Sequence, residues 1–395
     1  MKPNISSYDV LILGGGVAAC ATAITLKNIM PSSKVVIIEN RSRAQIATPR
    51  DFRIGATLSP HAAHTLNQMG IWESFLAQGH TKSYGTSAAW GSEKIRHNEF
   101  IYTPFGYGWH LDRVSFDGLM IAEAEKRGVQ FLFETQLGRY REARRHWLLC
   151  ARSPRGKFQM YAKFIVDATG KKSVFARKQG VQKLILDDLV TIYRFYKSNS
   201  EVNKQLEGTY LESNKYGWWF SALLPNKKLA VACVTDRDLA TNHGFNYIHS
   251  FDLLLKKTRH TKTRTLHTQA LGAPRMESTQ SQILDRVVGE KWMAVGDATM
   301  SYDPLSTLGI YNGLSTNLYA AHAIVDYLHG DLSGLSKYEK LMMHQFKDYE
   351  EKRLAYYAEE KRFSRHPFWR RRQKANPELI KKQLLKTTEY LSTIS

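Results

Sequence analysis

The sequence predicts an α/β fold in which a domain built on a parallel sheet is interrupted by a second, mixed sheet. Three patterns indicate this fold: a strand, helix and strand over residues 8–39, a strand-rich stretch over 181–236, and a late buried strand at 291–295 followed by a helix at 309–328. The strand-rich stretch interrupts the elements of the first sheet. The first and last segments are therefore expected to complete one sheet.

The composition is that of a globular protein with an anionic partner. At 395 residues the chain can bury a large core, and its 43% apolar content excludes a wholly disordered or fibrous protein. The formal net charge of +20 predicts attraction to an anion, and nucleic acid, lipid, an acidic protein and a polyphosphate cofactor all fit that charge.

The cysteines and the apolar segments favour a cytoplasmic protein. Cys20, Cys150 and Cys233 are widely spaced and contain no CxxC pair, which predicts neither a disulfide framework nor a zinc site. The apolar stretch at 11–26 contains three glycines and is too short to span a bilayer. We expect no metal and no membrane span.

The first element is a dinucleotide fingerprint, Gly14-x-Gly16-x-x-Ala19, placed between a strand and a helix. Residues without bulk at this turn allow a pyrophosphate to approach the backbone N–H groups at the helix N terminus. The next strand ends at Glu39, whose carboxylate would accept hydrogen bonds from ribose hydroxyls. The unit predicts an adenine-dinucleotide site, and the alternative is a tight turn without a ligand.

Two later segments indicate that the dinucleotide is FAD. Residues 167–170 (Asp167-Ala168-Thr169-Gly170) and 296–298 (Gly296-Asp297-Ala298) each follow a buried strand. Both resemble the additional signatures of the glutathione-reductase-type FAD fold, and this resemblance implies that Asp297 binds the ribityl chain. An enzyme that binds only a nicotinamide dinucleotide has neither signature.

The chain further resembles the superfamily of para-hydroxybenzoate hydroxylase and the tryptophan halogenases. Residues 303–310 resemble the segment beside the isoalloxazine ring, and Leu111-Asp112-Arg113 resembles the site of an arginine near the diphosphate. The resemblance implies a glutathione-reductase-type FAD-binding domain, an inserted mixed β-sheet substrate domain like that of para-hydroxybenzoate hydroxylase, and here a C-terminal helical extension. The residues expected to bind FAD are Gly14, Gly16, Ala19, Glu39, Arg113, Asp167, Gly170, Gly296, Asp297, Pro304, Gly309 and Ile310.

Five segments, at 55–60, 89–92, 106–113, 217–225 and 366–372, resemble the narrower group of LodB/GoxB-type flavoproteins. Ala56 departs from that group, in which an acidic residue is common. The resemblance implies a single-component monooxygenase that uses NADH or NADPH as a transient reductant and O2 to form a C4a-(hydro)peroxyflavin. It also implies a protein substrate, the precursor of a quinone-cofactor oxidase or dehydrogenase, in which a tryptophan is hydroxylated during cysteine tryptophylquinone biogenesis.

Alternative functions stay open at this point. Lys82, eight residues before Trp90, matches the lysine that captures hypohalous acid in halogenases, whereas adjacent Trp218 and Trp219 and Ser306 depart from halogenase motifs. A hydroxylase or halogenase of a small aromatic substrate and a non-catalytic flavoprotein that only binds the precursor are the competing hypotheses.

Catalytic candidates come from the aromatic segments expected over the flavin. His110, Trp219 and Lys82 are the predicted catalytic residues, and ordinary core packing is the alternative for each aromatic side chain. The basic segment around Trp369, with Arg370, Arg371 and Arg372, predicts either docking of an acidic precursor or a solvated helix. No nucleic-acid signature accompanies it.

The expected domain organisation follows from these elements. We assign 1–80, 109–180 and 285–345 to the FAD-binding domain, 81–108 and 181–284 to the substrate domain, and 346–395 to a basic helical extension.

Overall fold

The computed structural model describes residues 5–48, 57–198, 208–225 and 227–373. Its largest sheet has eight strands in the order β19-β20-β11-β1-β2-β8, with β10 and β9 joined to β11. The strands are β1 (Ser6–Leu13), β2 (Val35–Ile38), β8 (Gln130–Leu132), β9 (Gln136–Glu142), β10 (Trp147–Ser153), β11 (Gly156–Asp167), β19 (Val288–Gly289) and β20 (Trp292–Ala294).

The centre of this sheet is parallel and fully buried. β1 pairs in parallel with β2 and β11, and β11 with β20. Val10, Leu11 and Ile12 of β1 have no exposed surface, as expected for a strand covered on both faces. The sheet therefore brings the carboxyl ends of β1, β2, β11 and β20 to one edge, where α/β proteins bind their ligands.

The second sheet has seven strands in the order β17-β13-β16-β15-β14-β5-β6. Its strands are antiparallel except for the pair β14 and β5. They are β5 (Gly85–Ala89), β6 (Arg96–Glu99), β13 (Leu189–Ser198), β14 (Thr209–Asn214), β15 (Gly217–Leu223), β16 (Lys228–Asp236) and β17 (Thr268–Ser278). The predicted α/β fold with an inserted mixed sheet is confirmed.

Two three-stranded sheets connect these parts. One contains β3 (Thr57–Leu58), β4 (Thr81–Ser83) and β7 (Gly108–His110), and the other β12 (Lys183–Ile185), β18 (Gln282–Leu284) and β21 (Met300–Ser301). The helices are α1 (Val17–Ile29), α2 (Arg43–Ala47), α3 (Ala62–Gln68), α4 (Trp72–Leu76), α5 (Arg113–Lys126), α6 (Val174–Lys178), α7 (Arg237–Asn242), α8 (Ile248–Lys256), α9 (Thr261–Arg264), α10 (Leu308–Ser315), α11 (Asn317–Leu328), α12 (Ser333–Glu359) and α13 (Pro367–Gln373).

The C-terminal helices pack against the inserted sheet. Trp369 of α13 is fully buried, and its Nε1 donates to the carbonyl of Asn214 at 2.7 Å. Arg372 forms a buried ion pair with Asp236 at 2.6 Å, and half-exposed Arg371 pairs with the same carboxylate at 2.8 Å. The expectation that this segment docks a partner or forms a solvated basic helix is therefore wrong for Trp369 and Arg372, which are buried, whereas Arg371 stays about half exposed. Residues 374–395 of the predicted extension lie outside the described residues.

α12 extends across the predicted domain boundary at 345/346 without a break. Among the described residues, no helix combines the length and the apolar character needed to cross a membrane.

Candidate active site

One cavity of about 960 Å³ lies between the carboxyl edge of the parallel sheet and the inserted sheet. Gly16 and the first residues of α1, 17–18, line one part of it together with Arg113 and Asp297, and residues 303–310 line another. Trp90, Trp218 and Phe220 form an aromatic wall on the side of the inserted sheet. The predicted dinucleotide elements and the predicted substrate wall therefore share a single space.

The glycine turn leaves room for a ligand at the start of α1. Gly14 has φ +95°, and a Cβ there would lie 2.5 Å from the carbonyl oxygen of Ala168, so only glycine fits. Gly16 is the N-cap of α1, no side chain caps the helix, and a Cβ at Gly16 would meet no atom within 4 Å. The N-terminal N–H groups of α1 therefore border an open space, which suits an anion.

Glu39, the expected ribose acceptor, is buried behind this turn. Its Oε2 accepts the Gly15 N–H at 2.8 Å and an Arg41 N–H at 3.0 Å, while Oε1 accepts the backbone and Nε N–H groups of Arg41. Burial raises the pKa of Glu39, but the Arg41 and Gly15 bonds outweigh it and the pKa is lowered. Because four donors already occupy the carboxylate, ribose hydroxyls would bind Glu39 by displacing the Arg41 guanidinium.

Asp297 lines the cavity with a free carboxylate. No hydrogen bond within the described part of the chain reaches its side chain, which lies on the 3-10 turn Gly296–Ala298 after β20. Burial raises its pKa, opposed by Lys171 and Arg113. An acceptor without a protein partner in a buried site requires a donor from elsewhere, and the hydroxyls of a ribityl chain supply such donors. This observation fits the predicted FAD.

Two tyrosines of α12 hold the loop that precedes α10. The Asp303 backbone N–H donates to Tyr349 Oη at 2.8 Å, and Tyr357 Oη donates to Asp303 Oδ2 at 2.7 Å. Tyr357 Oη in turn accepts the Trp218 Nε1–H at 3.1 Å. We call Asp303, Tyr357 and Trp218 the tyrosine bridge, since Tyr357 connects the loop at 303–307 to the aromatic wall.

The first turn of α10 borders the same cavity. Thr307, its N-cap, has φ +54°, a strained conformation for a threonine, and its side chain does not cap the helix. Leu308, Gly309 and Ile310 line the cavity. The positive end of the helix dipole is thereby available to negative charge in the cavity.

The structure places the predicted FAD-binding residues in three groups. Seven line the cavity: Gly16, Arg113, Gly170, Asp297, Pro304, Gly309 and Ile310. Gly14, Ala19, Glu39 and Gly296 lie in or behind the turns that shape it. Asp167 is different, because it is fully buried and its carboxylate accepts four hydrogen bonds, from Thr169 N and Oγ1, Phe175 N and Ala176 N. In place of the expected cofactor contact, Asp167 holds the loop that carries Gly170 to the cavity.

None of the three predicted catalytic residues lines the cavity. Trp219 faces the opposite side of β15, where its ring packs 5.3 Å from Phe251, because neighbouring strand residues point to opposite faces. Lys82 is exposed, with Nζ 4.3 Å from the centroid of Tyr107. His110 is buried within the sheet of β3, β4 and β7. Their expected positions over the flavin are wrong, and Trp218 lines the cavity instead of Trp219.

His110 predicts a measurable pH dependence of stability. Burial, with a contribution from Arg264, lowers its pKa from 6.5 to about 4, so folding favours the neutral imidazole. This contribution to the free energy of unfolding is complete above about pH 6.5 and is lost as the pH falls towards 4. In His110→Gln, the free energy of unfolding should therefore fall by about 2–4 kcal/mol less than in the wild type over this pH range. Urea unfolding at several pH values between about 4 and 7 measures it, and an unchanged pH profile contradicts this assignment.

Residues that α12 and the inserted sheet contribute to the site were not predicted from the sequence. Tyr349 and Tyr357 are eight residues apart, a spacing that places them on one face of a helix and was the available signal. Arg96 and Asn98 of β6 line the cavity, as does Glu277 of β17, which accepts a hydrogen bond from Tyr193 Oη at 2.8 Å. These strand residues carry no motif.

Comparison with known proteins identifies the family. Residues 7–341 match the sequence model of the FAD binding domain family. The chain belongs to this family. The FAD predicted from the three glycine-containing segments is thus confirmed at the level of the family, and the described cavity contains the elements expected to hold FAD.

Three proteins of known sequence or structure are similar to this chain. LodB of Marinomonas mediterranea is 24% identical over 93% of this chain and 97% of LodB, which confirms the predicted resemblance. The solved structure of the myxobacterial chondrochloren halogenase CndH superposes with a TM-score of 0.82 and 19% identity, covering 98% of this chain and 90% of CndH. That of the peptidyl tryptophan dihydroxylase QhpG, essential for tryptophylquinone cofactor biogenesis, has a TM-score of 0.68 and 20% identity, covering 93% and 79%. The two structural likenesses show a shared fold.

Proposed function

We propose that this protein is an FAD-dependent monooxygenase that hydroxylates a tryptophan in the precursor of a partner quinoprotein during cysteine tryptophylquinone biogenesis. The observation that supports it best is the single cavity joining the glycine turn and the start of α10 to a wall of Trp90, Trp218 and Phe220. Similarity to LodB along nearly the whole chain, and the shared fold of QhpG, support a protein substrate.

The roles of the chain's own residues follow from their positions. When bound, FAD supplies the activation of O2 and the transfer of an oxygen atom to an electron-rich ring. The α1 N terminus and Arg113 bind the diphosphate, Asp297 accepts hydrogen bonds from the ribityl hydroxyls, and the α10 N terminus stabilises negative charge on the flavin ring. Trp90, Trp218 and Phe220 orient the substrate indole and exclude water.

The reductant is proposed to be NADH or NADPH acting transiently at the flavin. The sequence has no second GxGxxG fingerprint for a nicotinamide dinucleotide. A reductant that binds in the shared cavity and leaves before the substrate binds there needs no domain of its own.

Halogenation is the second candidate, favoured by the fold shared with CndH, and Lys82 separates the two functions. In this chain Lys82 is exposed and outside the cavity lining, which supports oxygen insertion. We expect Lys82→Met to leave tryptophan hydroxylation within about twofold of the wild-type rate, because surface changes away from a site have small effects. A loss of more than about tenfold, together with halide-dependent product, contradicts the hydroxylase assignment.

Intact mass measurement of the partner precursor tests the proposed function. The protein is co-expressed with the precursor of a quinone-cofactor oxidase, in parallel with the flavin-deficient variant Gly16→Asp. We expect the precursor to gain one or two oxygen atoms only with the wild-type protein. An unchanged precursor, combined with NAD(P)H oxidation stimulated by free indoles or phenols, would replace this proposal with a small-molecule monooxygenase.

A further inference from the structure

We infer that β6 is a docking edge on which an extended segment of the precursor polypeptide adds as a further strand and thereby carries its tryptophan into the cavity. This inference rests on the proposed function, since it names how a protein substrate reaches the site. β6 is the last strand of the seven-stranded sheet, and in the described part of the chain no strand pairs with its outer side. An exposed sheet edge offers main-chain donors and acceptors to an added strand.

The register shows which backbone groups face outward. β6 pairs antiparallel with β5, with Thr86 opposite Asn98, and Phe100 N–H donates to Tyr84 O at 2.7 Å beyond them. Hydrogen-bonded and non-hydrogen-bonded pairs alternate along such a ladder. Asn98 and Arg96 therefore bond to β5, while the N–H and C=O groups of His97 and Glu99 point away from the sheet.

The outer edge and the cavity are continuous. Thr86 and Ala88 of β5 line the cavity, as do their partners Asn98 and Arg96, and His97 borders it at the edge. The first four share one face of the β5–β6 pair, which is the cavity face, whereas the His97 side chain bonds to Ser87 on the other face. A peptide strand paired with β6 would place every second side chain on the same face. One of these side chains would enter beside Asn98, on the side of the aromatic wall.

Exposed aromatic side chains flank the edge. Tyr84 is 63% exposed, Tyr102 87% and Phe105 37%, all within the connections that border β5 and β6. Large exposed rings next to a cavity are typical of a protein interaction site. The Phe105 ring also lies 4.9 Å from that of His61, whose ring is 6.2 Å from that of Tyr311 on α10. These ring contacts thus extend from the connection that follows β6 to α10, whose first turn lines the cavity.

The size of the cavity favours an extended segment as the occupant. A space of about 960 Å³ that also holds the cofactor admits a side chain but not a folded domain. The target tryptophan must then project from a strand or loop that lies on the surface. β6 spans four residues, or about 13 Å, which matches a short extended peptide.

Binding of two tryptophan probes to the FAD-loaded protein tests this inference. One probe is an acetylated and amidated peptide of about seven residues, with alternating Thr and Val around a central Trp, and the other is N-acetyltryptophanamide. We expect the peptide to bind at least about tenfold more tightly than the amide, because main-chain pairing tolerates sequence. Titration calorimetry measures both dissociation constants.

Backbone substitutions assign that preference to β6. His97→Pro removes an outward N–H and keeps the β5 ladder, since proline is tolerated on the free side of an edge strand. We expect His97→Pro to reduce the preference for the peptide to about twofold or less. Glu99→Pro should reduce this preference as well. His97→Thr removes the imidazole but keeps the N–H, and is expected to preserve the preference. Thermal unfolding and flavin content verify that each variant is folded.

Amide hydrogen exchange gives a readout that needs no substitution. We expect the peptide, but not N-acetyltryptophanamide, to slow exchange of the His97 and Glu99 amides. The inference is overturned if the two probes bind equally or if neither proline variant changes the preference for the peptide. It is also overturned if the proline variants only convert a dimer to a monomer, because the edge would then bind a second copy of this chain. Oxygen insertion into the co-expressed precursor without a preference for the peptide probe would overturn the docking edge and preserve the proposed function. Peptide binding that depends on β6, without oxygen insertion into any tryptophan, would support the docking edge and overturn the proposed function.

Discussion

Gly16→Asp is expected to abolish FAD binding while the protein stays folded. The carboxylate would enter the open space beside the α1 N terminus and oppose the diphosphate by volume and charge, so we expect the dissociation constant for FAD to rise by at least about 100-fold, or about 3 kcal/mol. The backbone of Gly16, with φ −80° and ψ −178°, is accessible to any residue, and aspartate is a favourable N-cap. The flavin absorbance of the purified protein and an FAD titration measure the effect.

Two neighbouring substitutions are the controls for this prediction. Gly16→Ala adds a neutral methyl group where no atom lies within 4 Å, so it should weaken FAD binding less than aspartate does. Gly14→Ala should instead destabilise the apoprotein, because φ is +95° and its Cβ would clash with Ala168 O. A Gly16→Asp protein that retains stoichiometric FAD would show that the cofactor does not lie against the α1 N terminus.

The fold was predictable because its signals are local in sequence. They are the glycine fingerprint at 14–19 and two later segments, 167–170 and 296–298, in which a strand is followed by small residues. Each of these segments is a turn whose geometry depends on a few neighbouring residues, such as Gly14, with φ +95°, and Gly16, the N-cap of α1. The same locality explains why most of the predicted FAD-binding residues line one cavity. The expected cofactor contact of Asp167 was not predictable in this way. An acidic residue at the end of a buried strand can bind a ligand or accept hydrogen bonds from backbone N–H groups equally well.

The substrate side of the site was not predictable from the same patterns. Trp218 and Trp219 alternate across β15, but both faces of that strand are buried, so hydrophobicity does not tell which face borders the cavity. Trp369 and Arg372 were assigned to a docking segment because their burial depends on Asn214 and Asp236, which are more than 130 positions away in sequence. Contacts of that kind are set by the packing of α13 on the sheet, which no local pattern shows.

Tyr357→Phe is the second large effect we expect, because this hydroxyl is the centre of the tyrosine bridge. Its loss leaves the buried Asp303 carboxylate without a donor at Oδ2 and the buried Trp218 Nε1–H without an acceptor. Each buried group left unpaired costs about 1–3 kcal/mol, so the free energy of unfolding should fall by about 2–4 kcal/mol. Urea unfolding of the FAD-loaded protein gives this value.

Tyr356→Phe is the matched control. It removes the same hydroxyl from the neighbouring residue, whose side chain is 55% exposed. Its effect should stay within about 0.5 kcal/mol. If the two variants are equally stable, the bridge has no energetic role and the other hydrogen bonds of Asp303, to Leu305 N–H, Tyr349 and Ser306, are sufficient to hold it. If Tyr357→Phe is the less stable variant, the buried Asp303 carboxylate is the reason. Burial raises the pKa of Asp303, and Arg353, the Leu305 N–H and the Tyr357 hydroxyl oppose that rise, so loss of the hydroxyl removes one of the groups that stabilise the charged carboxylate.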